Sequence, residues 1–138
     1  MNVQNILGLD PGRDKCGVAV INAQREVVNH QVVDSAKAIS EIGRLIEQYA
    51  VDLVVMGDGT TSKAWQQKIE FNLPTALVIT VDESSSTLEA RDRYWDMYPA
   101  KGLQRLIPLS LRTPPRPVDD IVAIILIERY FKSVISNQ

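Results

Sequence analysis

Residues 5–21, NILGLDPGRDKCGVAVI, decide the fold class. An apolar run, Asn5 to Leu9, stops at Asp10-Pro11-Gly12, which is strong turn chemistry. Cys16 to Ile21 then resumes β-rich apolar sequence. Asn22-Ala23-Gln24-Arg25 separates that run from Glu26 to Val33, where apolar and polar residues mix. Three short strands joined by tight turns predict an antiparallel meander. Beyond it the period changes. Ala38, Ile39, Ile42, Leu45, Ile46 and Tyr49 recur at helical spacing, with Ser35 as the expected N-cap. Leu53 to Met56 is a short continuous apolar strand, as expected inside a sheet covered on both faces. A helix is predicted over Ser62 to Phe71, a strand over Ala76 to Val81 and a helix over Thr87 to Tyr98. Pro99 to Pro117 holds five of the seven prolines and reads as a loop. A last helix runs from Val118 to about Val134. The order βββαβαβα, loop, α predicts an α/β protein: one mixed sheet with helices on both faces.

The chain has 138 residues, 45% of them hydrophobic and 23% charged. That is too apolar for a disordered chain and ordinary for one globular domain, expected here over 1–138. One cysteine, Cys16, forbids an intrachain disulfide and fits a reducing compartment, so a cytoplasmic location is expected. The longest uninterrupted apolar run, Ile121 to Ile127, is seven residues, far short of the ~20 of a membrane span. The start, MNVQNILGLD, lacks the basic and apolar regions of a signal peptide. The net charge of −2 conceals a division: residues 1–90 carry 7 basic and 12 acidic side chains, and residues 91–138 carry 8 and 5.

The acids fall at informative places. Asp10 ends the first strand, Asp82 and Glu83 follow the fifth, and Asp119 and Asp120 open the last helix. Ligands of an open α/β sheet bind beyond the carboxyl ends of its strands, so carboxylates from distant parts of the chain converge there. Such a cluster needs a cation. Hard oxygen donors favour Mg²⁺ or Mn²⁺, and a chain with one His and one Cys is a poor zinc binder. Two ions ~3.5–4 Å apart suit in-line phosphodiester cleavage. Each acid also has a plain structural reading. Asp10 fits a turn, Asp82 or Glu83 fits a helix cap, and Asp119 or Asp120 fits a favourable charge at a helix N-terminus. Asp119 shares its face with Ala123, Leu126 and Tyr130, and Asp120 shares its face with Ile124, Ile127 and Phe131, so periodicity does not choose between them.

Three motifs together carry a resemblance. Ile6-Leu7-Gly8-Leu9-Asp10-Pro11-Gly12 with Lys15-Cys16-Gly17-Val18-Ala19-Val20 resembles the opening motif of the YqgF (RuvX) family. Its members are RNase H-like nucleases described as Holliday-junction resolvases and as processors of the small-subunit ribosomal RNA precursor. Val81-Asp82-Glu83 with Ser86-Thr87-Leu88-Glu89-Ala90 resembles the second motif, and Val118-Asp119-Asp120-Ile121-Val122-Ala123 the third. The resemblance implies an RNase H-like fold with a five-stranded mixed sheet, and Asp10, Glu83 and Asp119 as metal-binding catalytic carboxylates. Asp119 aligns because it follows Val118 and stands four before Ala123. The implied activity is a divalent-metal-dependent nuclease acting on structured RNA or branched DNA, as monomer or homodimer.

Two positions depart from the family pattern. A Gly-Leu-Pro-type loop is replaced by Gly57-Asp58-Gly59-Thr60-Thr61-Ser62, a form closer to the YqgF-like domain of a bacterial transcription-accessory protein. Ser84 stands where a basic residue is usual. The glycine loop reads either as a backbone cradle for phosphate or as a tight turn capped by Thr61 or Ser62. Basic residues expected to meet nucleic acid are Lys15, Arg91, Arg93, Lys101, Arg105, Arg112 and Arg116. The segment 91–116 carries six basic residues against two acidic, interleaved with Tyr94, Trp95 and Tyr98, of which at least one of Trp95 and Tyr98 is expected in the core. His30 reads as distal and takes no role. The competing functional classes are a non-catalytic nucleic-acid-binding module of the same fold, and a sugar-kinase-like nucleotide hydrolase, for which the chain lacks a second lobe.

Overall fold

The computed structural model describes residues 4–136. Strands β1 (Ile6–Asp10), β2 (Lys15–Ile21) and β3 (Val27–Asp34) form the expected meander. They are followed by α1 (Ala38–Tyr49), β4 (Leu53–Gly57), α2 (Ser62–Asn72), β5 (Val78–Val81), α3 (Ser86–Met97) and α4 (Asp119–Ser136). The sheet has five strands in the order β3-β2-β1-β4-β5. The β1–β2 and β2–β3 pairs are antiparallel, and β1–β4 and β4–β5 are parallel. This is the RNase H-like mixed sheet that the sequence implies.

Alternation along the strands divides the core in two. Leu7, Leu9, Cys16, Val18, Val20, Val54 and Met56 face α1 and α2. Ile6, Ala19, Ile21, Leu53 and Val55 face α3 and α4. The α4 face of the sheet is floored by small residues: Gly8 pairs with Ala19, and Asp10 with Gly17. A Cβ at Gly8 would lie 2.4 Å from the carbonyl oxygen of Ala123. The backbone of α4 therefore lies directly on the sheet, with α3 against its other side. That double covering buries every residue from Ile121 to Ile127, and it explains why both stripes of this helix are apolar.

Three local expectations are corrected. Ser35 does not cap α1. It begins a 3₁₀ turn (Ser35–Lys37), and its hydroxyl donates to the Gly12 carbonyl at 2.8 Å. Neither Thr61 nor Ser62 caps α2 through its side chain. The proline-rich segment is not all loop, since it winds into 3₁₀ turns at Gly102–Leu106 and Leu109–Leu111.

Candidate active site

The site is built around one row of the sheet. Asp10 ends β1 on the α4 face and pairs across β2 with Gly17. The parallel register of β1 and β4 pairs Leu9 with Met56, and one further step brings Gly57 to the other side of Asp10. Adjacent strands are ~4.8 Å apart, so a glycine flanks Asp10 on each side. Each glycine is overlain by another part of the chain. A Cβ at Gly17 would lie 1.8 Å from the carbonyl oxygen of Asp119, so the first turn of α4 rests there. A Cβ at Gly57 would lie 2.2 Å from Glu83 Oε1, so the Glu83 carboxylate rests there. The two bare positions let Asp119 and Glu83 close on Asp10 from opposite sides.

The turns after β4 and β5 lock this arrangement reciprocally. The Gly59 amide donates to Glu83 Oε1 at 3.0 Å, and the Glu83 amide donates to Asp58 Oδ1 at 3.2 Å. Glu83 therefore does not cap α3. Its neighbour Asp82 accepts from the Ser84 amide and hydroxyl at 3.1 and 2.6 Å, closing its own turn. From α4, Arg129 donates to the Asp82 carbonyl at 2.8 Å and to Glu89 at 3.1 Å, tying that turn to the helix that carries Asp119. The Gly57-Asp58-Gly59 loop thus cradles a carboxylate of the protein itself. Substituting Gly57 by Ala is expected to push the Glu83 carboxylate off its seat and, by leaving the Gly59 amide without its acceptor, to cost about 1 kcal/mol in urea denaturation. Unchanged stability in Gly57→Ala would contradict this packing.

Electrostatics mark Asp10. Burial first, then the charges of Asp119 and Glu83, raise its carboxyl to about 7 from an ordinary 3.8. Burial and the charge of Asp120 likewise raise Asp119. None of Asp10, Glu83 and Asp119 has an ion-pair partner among the described residues. Such a set, three hard oxygen donors with an uncompensated charge, fits a divalent cation chemically. The chemistry fits but the arrangement is not a formed metal site: among the described residues, no three His, Cys, Asp or Glu side chains are grouped so that they could hold an ion.

The sequence model of the Tex protein YqgF-like domain matches residues 4–90. The chain belongs to this family. The match spans β1 to the start of α3 and so includes Asp10 and Glu83. A Shewanella oneidensis protein named "Putative pre-16S rRNA nuclease" is 29% identical, over 96% of this chain and 97% of its own length. Among solved structures, Thermus thermophilus RuvC superposes with a TM-score of 0.54 at 9% identity, covering 94% of this chain and 96% of RuvC. That likeness shows the shared fold. A ROK family glucokinase from Streptomyces griseus overlaps with a TM-score of 0.43 at 13% identity, covering 65% of this chain and 36% of its own.

Beyond the matched residues, the last helix separates its two leading acids. Asp119 stands beside Asp10. Asp120 turns the other way and is buried, with 2% exposure. Its carboxylate accepts from Arg116 at 2.9 Å and from His30 Nδ1 at 2.7 Å. Burial pushes Asp120 up, but these two donors outweigh it and hold the carboxyl below its ordinary value. His30 is therefore neither distal nor idle. It lies opposite Ala19 on β3 and reaches the start of α4. Only the strand register reveals this.

The expected basic residues divide by partner. Lys15 pairs with Asp34 at 2.7 Å, Arg93 with Glu128 at 2.7 and 3.1 Å, and Arg116 with Asp120. The Arg116 guanidinium also lies over the Tyr94 and Tyr98 rings, at 5.5 and 5.6 Å. Arg112 donates to the carbonyls of Ile107 and Arg105 and lies over Trp95 at 5.8 Å. Arg91, Lys101 and Arg105 have no carboxylate partner among the described residues. Trp95 is buried, which meets the expectation that at least one of Trp95 and Tyr98 lies in the core, and Tyr98 is exposed.

Proposed function

We propose that residues 1–138 act as one RNase H-like domain, a divalent-metal-dependent nuclease that hydrolyses phosphodiester bonds in structured nucleic acid. The observation that carries this reading is Asp10 flanked on one sheet face by Asp119 and Glu83, none of the three paired with a basic side chain among the described residues. Asp10, Glu83 and Asp119 would hold Mg²⁺ or Mn²⁺. Two such ions supply activation of the attacking water and stabilisation of the leaving oxygen. The protein's own part is to keep the three carboxylates together. Gly59 and Asp58 fix Glu83, Arg129 fixes its turn, and the seat of α4 on Gly17 fixes Asp119. The Shewanella relative's name supports precursor ribosomal RNA as substrate, and the cytoplasm is the location proposed for a chain with a single cysteine. Branched DNA is the other substrate to test, with the protein as monomer or homodimer.

Lys15 and the Arg91–Arg116 segment, with Arg93, Lys101, Arg105, Arg112 and Arg116, would contact the phosphates. Among these, Arg91, Lys101, Arg105 and Arg112 are the side chains whose charge no carboxylate of the described chain already meets. The decisive experiment is a cleavage panel of structured RNA, four-way DNA junction, duplex and single strands, with Mg²⁺ or Mn²⁺. Cleavage of one structured substrate is expected, falling at least about a thousandfold in Asp10→Asn and on chelation. Equal cleavage by wild type and Asp10→Asn would remove the proposal. Salt-sensitive binding with no cleavage would instead favour the non-catalytic module, a reading that the Gly57-Asp58-Gly59 loop and Ser84 keep open.

A further inference from the structure

A second cleft opens beside the carboxylates, on the other face of the sheet. It has a volume of about 430 Å³ and is lined by Gly12, Arg13, Ser35, Trp65 and Lys68 together with two alanines. The size lies within the range of small-ligand sites. Its lining is one aromatic ring, two cations and small apolar side chains, at the end of the molecule where the acids gather. Gly12 is two residues beyond Asp10, so at most about 7 Å separates the Cα atom of this cleft-wall residue from that of Asp10.

The wall is held in place. The Ser35 hydroxyl donates to the Gly12 carbonyl at 2.8 Å, and the Ser35 amide to the Asp14 carbonyl at 2.9 Å. The cations are not held. Arg13 is exposed and has no hydrogen-bond or ion-pair partner among the described residues. Lys68 is exposed too, and its ammonium lies over the Trp65 ring at 4.6 Å. Two cations without a carboxylate partner, lining one cleft with a half-buried indole, match the chemistry of a nucleotide: an anionic phosphate joined to a flat base.

We propose that this cleft accepts one unpaired nucleotide of the nucleic-acid strand held at the carboxylates. Its base stacks on Trp65, and its phosphate lies between Arg13 and Lys68. The inference rests on the nucleic-acid reading above and adds a requirement for an unpaired position next to the reacting bond. Lys68 covers the ring in the free protein. Its flexible stem lets the ammonium leave the ring for the phosphate, and base stacking is the stronger of the two contacts. A fully paired duplex keeps its bases inside the helix and would leave the cleft unused.

The test compares two oligonucleotides of one stem-loop that differ only in whether the unpaired nucleotide carries its base or is abasic. Binding is measured by anisotropy in metal-free buffer. For wild type the base is expected to tighten binding about tenfold. In Trp65→Ala this base-dependent gain should vanish, and in Trp65→Phe most of it should return. The doubly substituted Arg13→Ala, Lys68→Ala protein, which leaves the indole packing intact, should bind more weakly and with a salt slope reduced by about 1, for the one phosphate lost. It keeps the proposal testable should Trp65→Ala fail to fold. A base-dependent gain that is the same in wild type and Trp65→Ala overturns the subsite. So does a mononucleotide competing as well as the oligonucleotide, which points to a free ligand. So does a cleft that excludes the oligonucleotide but binds a protein. The two readings fail separately: intact base-dependent binding with no cleavage sinks only the nuclease, and cleavage without it sinks only the subsite.

Discussion

Asp10→Asn is expected to stabilise the metal-free protein at pH 8. The wild-type carboxyl is raised to about 7, by burial and by Asp119 and Glu83, whereas in the unfolded chain it titrates near its ordinary 3.8. A carboxyl raised on folding favours the folded state only while protonated. Stability is therefore lost as pH climbs from about 4 through about 7, and the loss levels off above that. At about 1.4 kcal/mol per pH unit, the interval bounds the effect at roughly 4 kcal/mol. Burial is the larger part of this cost and a buried Asn amide keeps some of it, so about 2 kcal/mol is the figure to expect, or roughly 6–10 °C in Tm. Asn carries no charge and escapes the rest. The gap between Asp10→Asn and wild type should open with pH over this interval and close below about pH 4. Millimolar Mg²⁺ or Mn²⁺ should narrow it, by stabilising wild type more than the variant. Thermal melts of both proteins at several pH values check this. A variant less stable than wild type at pH 8, without metal, would mean that Asp10 is not the strained charge described.

Gly17→Ala is expected to cost more, at least about 3 kcal/mol. The added Cβ would lie 1.8 Å from the Asp119 carbonyl oxygen, 2.0 Å from its carbon and 2.6 Å from the Asp120 amide nitrogen. These are backbone atoms, so no side-chain rotation relieves the overlap. Either β2 moves or the first turn of α4 lifts from the sheet. If it lifts, Val118 and Ile121 lose their burial, and the Asp120 contact with His30 is strained. Chemical denaturation gives the stability change, and a loss under about 1 kcal/mol would show that α4 does not rest on this glycine. Gly43→Ala is the control: its Cβ would meet only the flexible Leu73 side chain, at 3.2 Å.

Much of the fold was legible because local chemistry and global topology agree. Asp10-Pro11-Gly12 and Asn22 to Arg25 are turn sequences, and the strands beside them alternate or run apolar as a covered sheet requires. The helices beyond show helical spacing, and the boundaries shift by only one or two residues. The proline-rich segment was read less well. Its 3₁₀ turns need only a few residues each and leave no periodicity to detect.

The site was legible to a different depth. The residue types at the strand ends, and their order along the chain, pointed to Asp10, Glu83 and the Asp119–Asp120 pair. The purposes of Gly17 and Gly57 were hidden, because each clears space for an element more than twenty residues away in sequence. Glu83 reads as a helix cap until its carboxylate is seen against Gly57 and Gly59. His30 reads as idle until β3 is placed in register with β2.

The order of strands and helices, the acid-rich ends and the family motifs belong to the sequence alone. They follow from backbone preference and apolar period, which act between near neighbours. The family motif singled out Asp119 over Asp120, but apolar period could not, and the physical reason for the choice lies only in the tertiary structure. Both stripes of α4 are apolar because that helix is buried on both sides, so its periodicity carries no record of its rotation. The rotation is set by contact. The helix backbone settles on Gly8 and Gly17, and His30 and Arg116 take the Asp120 charge on one side. Asp119 is left on the other, beside Asp10.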